Sequence, residues 1–133
     1  MTPLHCTIAV GGIDTDVGKS FVTGLFARWL VQQGRNATTL KLVQTGCREI
    51  SDDILLHRKL MEQPLSAFDR DGTTCPYLFP YPASPRLSAR MVGREIDPAV
   101  LDKSLTTLQA HYEWLLVEGA GGLLVPLNAN LLL

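Results

Sequence analysis

Residues 11–20, GGIDTDVGKS, combine groups that together could bind phosphate. The segment ends in Gly18, Lys19 and Ser20, the order that closes a phosphate-binding loop. Backbone N–H groups at such a helix start can hold phosphate, the lysine adds a positive charge, and the serine hydroxyl suits a Mg²⁺ ion. Five residues separate Gly12 from Gly18, where the usual pattern has four. The segment is therefore either a variant phosphate loop or a glycine turn that packs a strand against a helix.

Three charged residues elsewhere in the sequence could share such a site. Glu118 lies between an apolar run and a glycine-rich segment, and Asp52 lies at the start of a predicted helix. Both carboxylates could bind Mg²⁺, which prefers oxygen ligands. The helix dipole explains Asp52 equally well, and a solvated loop would explain Glu118. Lys41 lies within an apolar run, so it either faces water on an edge strand or points into the site.

The hydrophobic pattern predicts the elements that position these residues. Short apolar runs predict strands at residues 5–10, 37–43 and 114–117. The first run is followed by GGIDTDVGKS, the second by QTG and the third by Glu118 and the glycine-rich segment. Helical patterns separate the runs, which favours a parallel α/β sheet flanked by helices. Ligands of such sheets bind beyond the carboxyl ends of the strands. The candidate residues should therefore meet at one edge of one sheet.

Helix boundaries are also visible in the sequence. A wide apolar stripe follows Lys19 and consists of Phe21, Val22, Leu25, Phe26, Trp29 and Leu30. Ser51 is predicted to cap a helix that runs to about Glu62. Residues 63–85 contain five prolines and are predicted to be irregular. Two further helices are predicted to start at Pro85 and Pro98, each at the first position of its helix.

Composition limits the kinds of protein that this chain could be. The 133 residues suffice for one domain, predicted to span residues 1–133, and the net charge of −1 favours neither a nucleic-acid partner nor a membrane. Three cysteines without metal-binding spacing, and no convincing signal peptide, indicate reduced thiols in a cytoplasmic protein. His5, His57 and His111 show no pairing with a nucleophile and are predicted to lie on surfaces or at element ends.

Four segments together resemble dethiobiotin synthetase. The family's loop reads Gly-Thr-Asp-Thr-x-Val-Gly-Lys-Thr, with the same five-residue spacing as here. The resemblance continues in KLVQTG at residues 41–46, in SPR at residues 84–86 and in VEGAGG at residues 117–122. It implies a fold like that of P-loop NTPases. The extra residue then marks a variant phosphate loop.

The resemblance also implies an activity and a set of site residues. The family uses ATP and Mg²⁺ to join CO2 to 7,8-diaminononanoate through a carbamate and its mixed phosphoric anhydride, giving dethiobiotin. The catalytic residues implied are Thr15, Lys19 and Lys41. The substrate contacts implied are Thr15 and Thr45. The metal ligands implied are Ser20, Asp52 and Glu118. The nucleotide contacts implied are Asp16, Val17, Gly18, Lys19, Ser20, Phe21, Glu118, Gly119, Ala120 and Gly121.

The sequence departs from the family pattern at several points. Ile13 replaces a threonine, Leu42 a proline and Arg86 a histidine. Family members also continue for several more strands and helices and are expected to be homodimers, whereas this sequence stops at residue 133. Two interpretations follow: a synthetase whose remaining part is not in this sequence, or a fragment or nucleotide-dependent switch that binds nucleotide or phosphate without synthesis.

Overall fold

The structure is a computed structural model that describes residues 5–13, 18–122 and 126–130. The strands are β1 (Cys6–Val10), β2 (Ala37–Lys41), β3 (Val43–Thr45), β4 (Tyr77–Phe79) and β5 (Trp114–Glu118). The helices are α1 (Lys19–Gln32), α2 (Asp52–Met61), α3 (Ala67–Asp71), α4 (Pro85–Met91) and α5 (Pro98–His111). None of the described helices is long and apolar enough to cross a membrane.

The main sheet is parallel and has the strand order β1-β5-β2. Strand β5 lies in the middle, with Glu118 opposite Val10 on one side and opposite Lys41 on the other. All three strands therefore end at the same level, which confirms the predicted parallel α/β fold. This register also brings Lys41 and Glu118 side by side, although they are 77 positions apart in the sequence.

The strand predicted at residues 37–43 is in fact two strands in two sheets. The backbone leaves the main sheet after Lys41, and β3 pairs in parallel with β4 in a second sheet. Strand β4 and helix α3 lie within the stretch predicted to be irregular. A capping box between Ser66 and Asp69 starts α3, and the Tyr77 and Phe79 side chains of β4 are buried. Elements of three to five residues are too short for periodicity to indicate them.

The predicted starts of α2, α4 and α5 are confirmed, and a side chain caps α2 and α5. Ser51 Oγ accepts a hydrogen bond from the Ile54 backbone N–H at 3.2 Å, and the Asp97 carboxylate accepts one from the Ala99 N–H at 2.9 Å. Pro85 occupies the first turn of α4. These bonds satisfy N–H groups that have no partner within the helix.

Helix α1 packs against α2 and the sheet through small residues. Most of its predicted apolar stripe is not part of this packed face. Thr23, Gly24 and Ala27 are buried, and a Cβ added to Gly24 would lie 2.7 Å from Leu60 Cδ1. Only small side chains therefore permit this close approach. The larger side chains on the adjoining face are each about half exposed; they are Phe21, Val22, Leu25 and Trp29.

Alternation along β2 directs side chains to the two faces of the sheet. Thr39 and Lys41 point towards α2, where they contact α2 side chains. Leu40 points to the opposite face and packs with Leu108 and Leu115. Because successive side chains of a strand alternate between faces, the chemistry-bearing side chains of β2 lie on the α2 side.

Candidate active site

A cavity of about 480 Å³ lies at the carboxyl ends of the strands, beside the start of α1. Its lining residues come from four separate parts of the sequence. They are Gly18, Lys19, Ser20, Phe21, Lys41, Val43, Gln44, Thr45, Asp53, Leu56, Glu118, Ala120 and Gly121. The structure thus brings together nine of the residues implied by the resemblance. Thr15, Asp16 and Val17 lie outside the described residues.

The first turn of α1 faces this cavity. Gly18 precedes the helix with φ of 95°, a backbone conformation that side-chain-bearing residues rarely adopt. Among the described residues, the first turn carries no acidic side chain and Gly18 supplies no side-chain cap, an arrangement that favours an anion at this end of the helix. The Lys19 ammonium donates a hydrogen bond to the Gly121 carbonyl, which joins α1 to the glycine-rich segment after β5.

Lys41 points into the site and does not face water. Its Nζ lies 2.6 Å from Asp53 Oδ2, 2.7 Å from Glu118 Oε2 and 3.2 Å from the Gly119 carbonyl oxygen. Burial alone would lower the pKa of Lys41, but the two carboxylates outweigh it and hold that pKa above its ordinary value. Lys41 therefore carries its positive charge at neutral pH.

Glu118 is fully buried and is held from several directions. Its Oε2 accepts hydrogen bonds from Lys41 and from Ser20 Oγ at 3.1 Å, and its Oε1 lies 3.2 Å from His57 Nε2. Burial raises the pKa of this carboxyl, but the contact with His57 and the charge of Lys41 lower it more, so the net shift is downward. Glu118 is an ionised carboxylate inside the site and not a solvated loop acid.

Asp53 lines the cavity, whereas Asp52, the metal ligand implied by the resemblance, does not. Asp52 is exposed and lies with Gly46 and Cys47 beside a separate depression, whereas Asp53 lines the cavity and contacts Lys41. The phase of α2 decides between the two acids, because Asp53 precedes His57 by four residues and shares its face. Sequence reasoning could have chosen Asp53 only by placing His57 in the core.

His57 is the largest departure from the sequence-based expectations for the site. It was predicted to lie on the surface or at an element end, but its side chain is 0% exposed. His57 Nδ1 lies 2.7 Å from Thr39 Oγ1, and Nε2 faces Glu118. Both other histidines, His5 and His111, are exposed, as expected. No pairing motif marks His57 in the sequence, since its partners come from two distant strands.

Of the remaining predicted residues, some line the cavity and others do not. Thr45 and Gln44 line the cavity at the end of β3, and Gln44 Oε1 accepts a hydrogen bond from Ser51 Oγ at 2.7 Å. Gly119 contributes its carbonyl to Lys41 but does not line the cavity. Arg86 lies elsewhere, beside a depression that it shares with Arg90. The charge that replaces the family histidine is therefore outside the candidate site.

Comparison with known proteins places the chain in a family. The sequence profile of a protein family described as an AAA domain matches residues 6–133. The chain belongs to this AAA-domain family. The match extends over the whole main sheet, the start of α1 and the glycine-rich segment after β5.

Similar curated proteins carry one name. The chain is 53% identical over 125 residues to the ATP-dependent dethiobiotin synthetase BioD of Chlorobaculum tepidum, covering 94% of this chain and 52% of that protein. It is 48% identical over 119 residues to BioD 2 of Haemophilus influenzae, covering 90% and 62%. It is 49% identical over 123 residues to BioD 2 of Haemophilus ducreyi, covering 92% and 58%. The resemblance to dethiobiotin synthetase is confirmed, and this AAA-domain chain spans little more than half the length of these relatives.

Proposed function

We propose that the chain supplies the phosphate- and carbamate-binding half of an ATP-dependent dethiobiotin synthetase. One observation carries the proposal: Lys19, Lys41 and Glu118 line a single cavity beside the start of α1. The names of the relatives point to the same activity. In this proposal the phosphates of ATP lie at the α1 N-terminus, where backbone N–H groups and the Lys19 charge favour anions.

The donors in the cavity fit a Mg²⁺ ion. Ser20 Oγ lies 3.1 Å from Glu118 Oε2, and the Lys41 ammonium bridges the carboxylates of Glu118 and Asp53. The described residues contain no cluster of three or more acidic, histidine or cysteine side chains suited to a metal. Two carboxylates with phosphate oxygens and water are nevertheless a usual Mg²⁺ environment. The ion would neutralise charge on the phosphates, and Asp53 replaces Asp52 in the proposed ligand set.

In this proposal Lys41 acts on the reacting groups. A carbamate formed on one amine of diaminononanoate is an anion, and it must approach the γ-phosphate, which is also anionic. Lys41 is positively charged and buried between the strand ends, so it can reduce this repulsion and stabilise the phosphoryl group during transfer. The second amine then attacks the mixed anhydride, releases phosphate and closes the ring.

Other parts of the proposal rest on the family resemblance. Thr45 lines the cavity and is proposed to contact the diamine, together with Thr15. Asp16, Val17 and Gly119 are proposed to contact the nucleotide with the cavity residues. A homodimer and a cytoplasmic location also stay predictions.

A second candidate function is phosphate or nucleotide binding without synthesis. It concerns the 133 residues by themselves, which span 52–62% of the relatives named above. The phosphate donors lie within the described first half, whereas walls for adenine and the diamine would come from the other half of the relatives. The two candidates differ in whether dethiobiotin is made.

A direct assay separates these candidates. Dethiobiotin would be measured by mass spectrometry after incubation with ATP, Mg²⁺, bicarbonate and diaminononanoate. Two proteins would be compared: the 133-residue chain, and that chain extended with the remaining part of the Chlorobaculum tepidum relative. We expect product from the extended protein and none from the short one. Absence of product from a folded extended protein would contradict the synthetase proposal, and equal rates would show that the strand ends suffice.

A further inference from the structure

A buried series of hydrogen bonds leads from α2 to the back of the candidate site. Arg58 Nη1 donates to Thr39 Oγ1 at 2.9 Å, Thr39 Oγ1 lies 2.7 Å from His57 Nδ1, and His57 Nε2 lies 3.2 Å from Glu118 Oε1. All four side chains are at least 95% buried. No described buried side-chain polar atom lacks a hydrogen-bond partner, so this series is fully satisfied.

The chemistry of its two ends limits the possible directions of donation. An arginine side chain can only donate, so Thr39 Oγ1 accepts from Arg58 and keeps its own proton for another acceptor. An ionised carboxylate can only accept, so His57 must carry a proton on Nε2 to bond Glu118. One arrangement satisfies both ends and also uses the hydroxyl proton: Thr39 donates to Nδ1, and Nε2–H donates to Glu118.

The far end of the series is anchored by an ion pair. Arg58 makes two hydrogen bonds of 2.8 Å to the Asp69 carboxylate, one to each oxygen. Asp69 also accepts from the Ser66 backbone N–H and from Thr74 Oγ1, each at 2.8 Å. Arg58 therefore has little freedom to rotate away from Thr39, and the orientation of the imidazole follows from a fixed support.

We propose that His57 is a positioning residue for Glu118. By holding Oε1 from behind, it directs Oε2 towards Ser20 and Lys41, which is the side on which the cavity lies. A carboxylate that binds a metal ion must keep one orientation. A hydrogen-bond partner held in a fixed position maintains that orientation. This inference rests on the proposed Mg²⁺-phosphate site, and it concerns the residue that orients Glu118 and not one that touches the reacting groups.

Two variants of His57 test the proposal. His57→Gln can place an amide N–H near the position of Nε2, whereas His57→Leu removes every donor. The measurement is the Mg²⁺ concentration that half-saturates pyrophosphate binding to the 133-residue chain, by calorimetry. We expect His57→Leu to raise this concentration about 10-fold and His57→Gln to stay near wild type, since partners of metal-binding groups typically affect metal affinity by 10- to 100-fold. An unchanged requirement in a folded His57→Leu protein, or equal shifts in both variants, would overturn the proposal.

A spectroscopic readout on the wild-type protein keeps the test independent of the folding of the His57 variants. Nitrogen NMR of the wild-type imidazole ring should show a proton on Nε2 and an accepting Nδ1, and Glu118→Gln should shift the Nε2 signal. An unprotonated Nε2 would overturn the role of His57. If wild-type pyrophosphate binding shows no dependence on Mg²⁺, the proposed metal site fails, and the Nε2 signal still decides whether His57 holds Glu118.

Discussion

The role of Lys41 is left open by the sequence pattern, and its contacts in the structure decide it. In the sequence it is a lysine in an apolar run, equally consistent with an edge strand and with a site. In the structure it is 5% exposed and contacts two carboxylates of different elements. A buried ammonium is stable only with such partners, because burial by itself disfavours the charged form.

Replacing Lys41 should separate chemistry from binding. In the extended, dethiobiotin-forming protein, Lys41→Gln is expected to lower kcat about 100-fold or more, as for other groups that stabilise charge in the transition state. ATP affinity should change much less, since Lys19 and the α1 N-terminus remain. Lys103→Gln, at an exposed position on α5, is the matched control. Equal losses in kcat and in ATP affinity would make Lys41 a phosphate ligand and favour the switch.

Some residues of the candidate site could be predicted from the sequence and others could not. Lys19, Ser20 and Glu118 were predicted correctly to lie together, because a glycine-lysine-serine segment and a strand end identify their positions. Asp53 and His57 were missed, because their inclusion depends on the rotational phase of α2 against β2. That phase is set by tertiary contacts such as the close approach at Gly24 and not by local spacing.

At the scale of elements, α2 and α3 are joined by the buried pair of Arg58 and Asp69. Their side chains are 5% and 0% exposed. Burial raises the pKa of Asp69, but the hydrogen bonds and charge of Arg58 outweigh it and hold that pKa below its ordinary value of 3.8. The pair ties α3, an element of only five residues, to the back of the main sheet through Thr39.

The pair predicts how stability depends on pH. A lowered folded-state pKa contributes stability that is present above the unfolded pKa of about 3.8 and is lost as pH falls further. Asp69→Asn should lower the free energy of unfolding at pH 7 by about 3 kcal/mol, since it leaves Arg58 buried without its anion. The variant should also lose stability less steeply below pH 4 in urea titrations. Asp102→Asn, at an exposed position, is the control, and equal acid slopes for Asp69→Asn and wild type would contradict the account.

The boundaries of helices and strands were predictable only in part. The starts of α2, α4 and α5 were correct because capping serine or aspartate and first-turn proline act locally. The division between β2 and β3 at Leu42 was not, because an unbroken apolar run looks the same whether it stays in one sheet or passes into a second.

At the scale of the whole molecule, strand order brings distant segments to one edge. With β5 between β1 and β2, Lys19, Lys41 and Glu118 converge although they lie far apart in the sequence. This convergence was predicted from parallel topology alone. The exposure of the α1 apolar face was not, because periodicity shows that a stripe exists but not which neighbour covers it.

The most direct test of the central claim is to locate phosphate on the folded chain. Amide NMR spectra of the 133-residue protein would be recorded during titration with pyrophosphate and Mg²⁺. We expect the largest shifts at Gly18, Lys19 and Ser20, with smaller ones at Glu118, and we expect Lys19→Ala to abolish them while Arg86→Ala does not. Saturable shifts confined to Arg86 and Arg90, or no saturable shifts in a folded protein, would contradict the assignment of the cavity at the strand ends as a phosphate site.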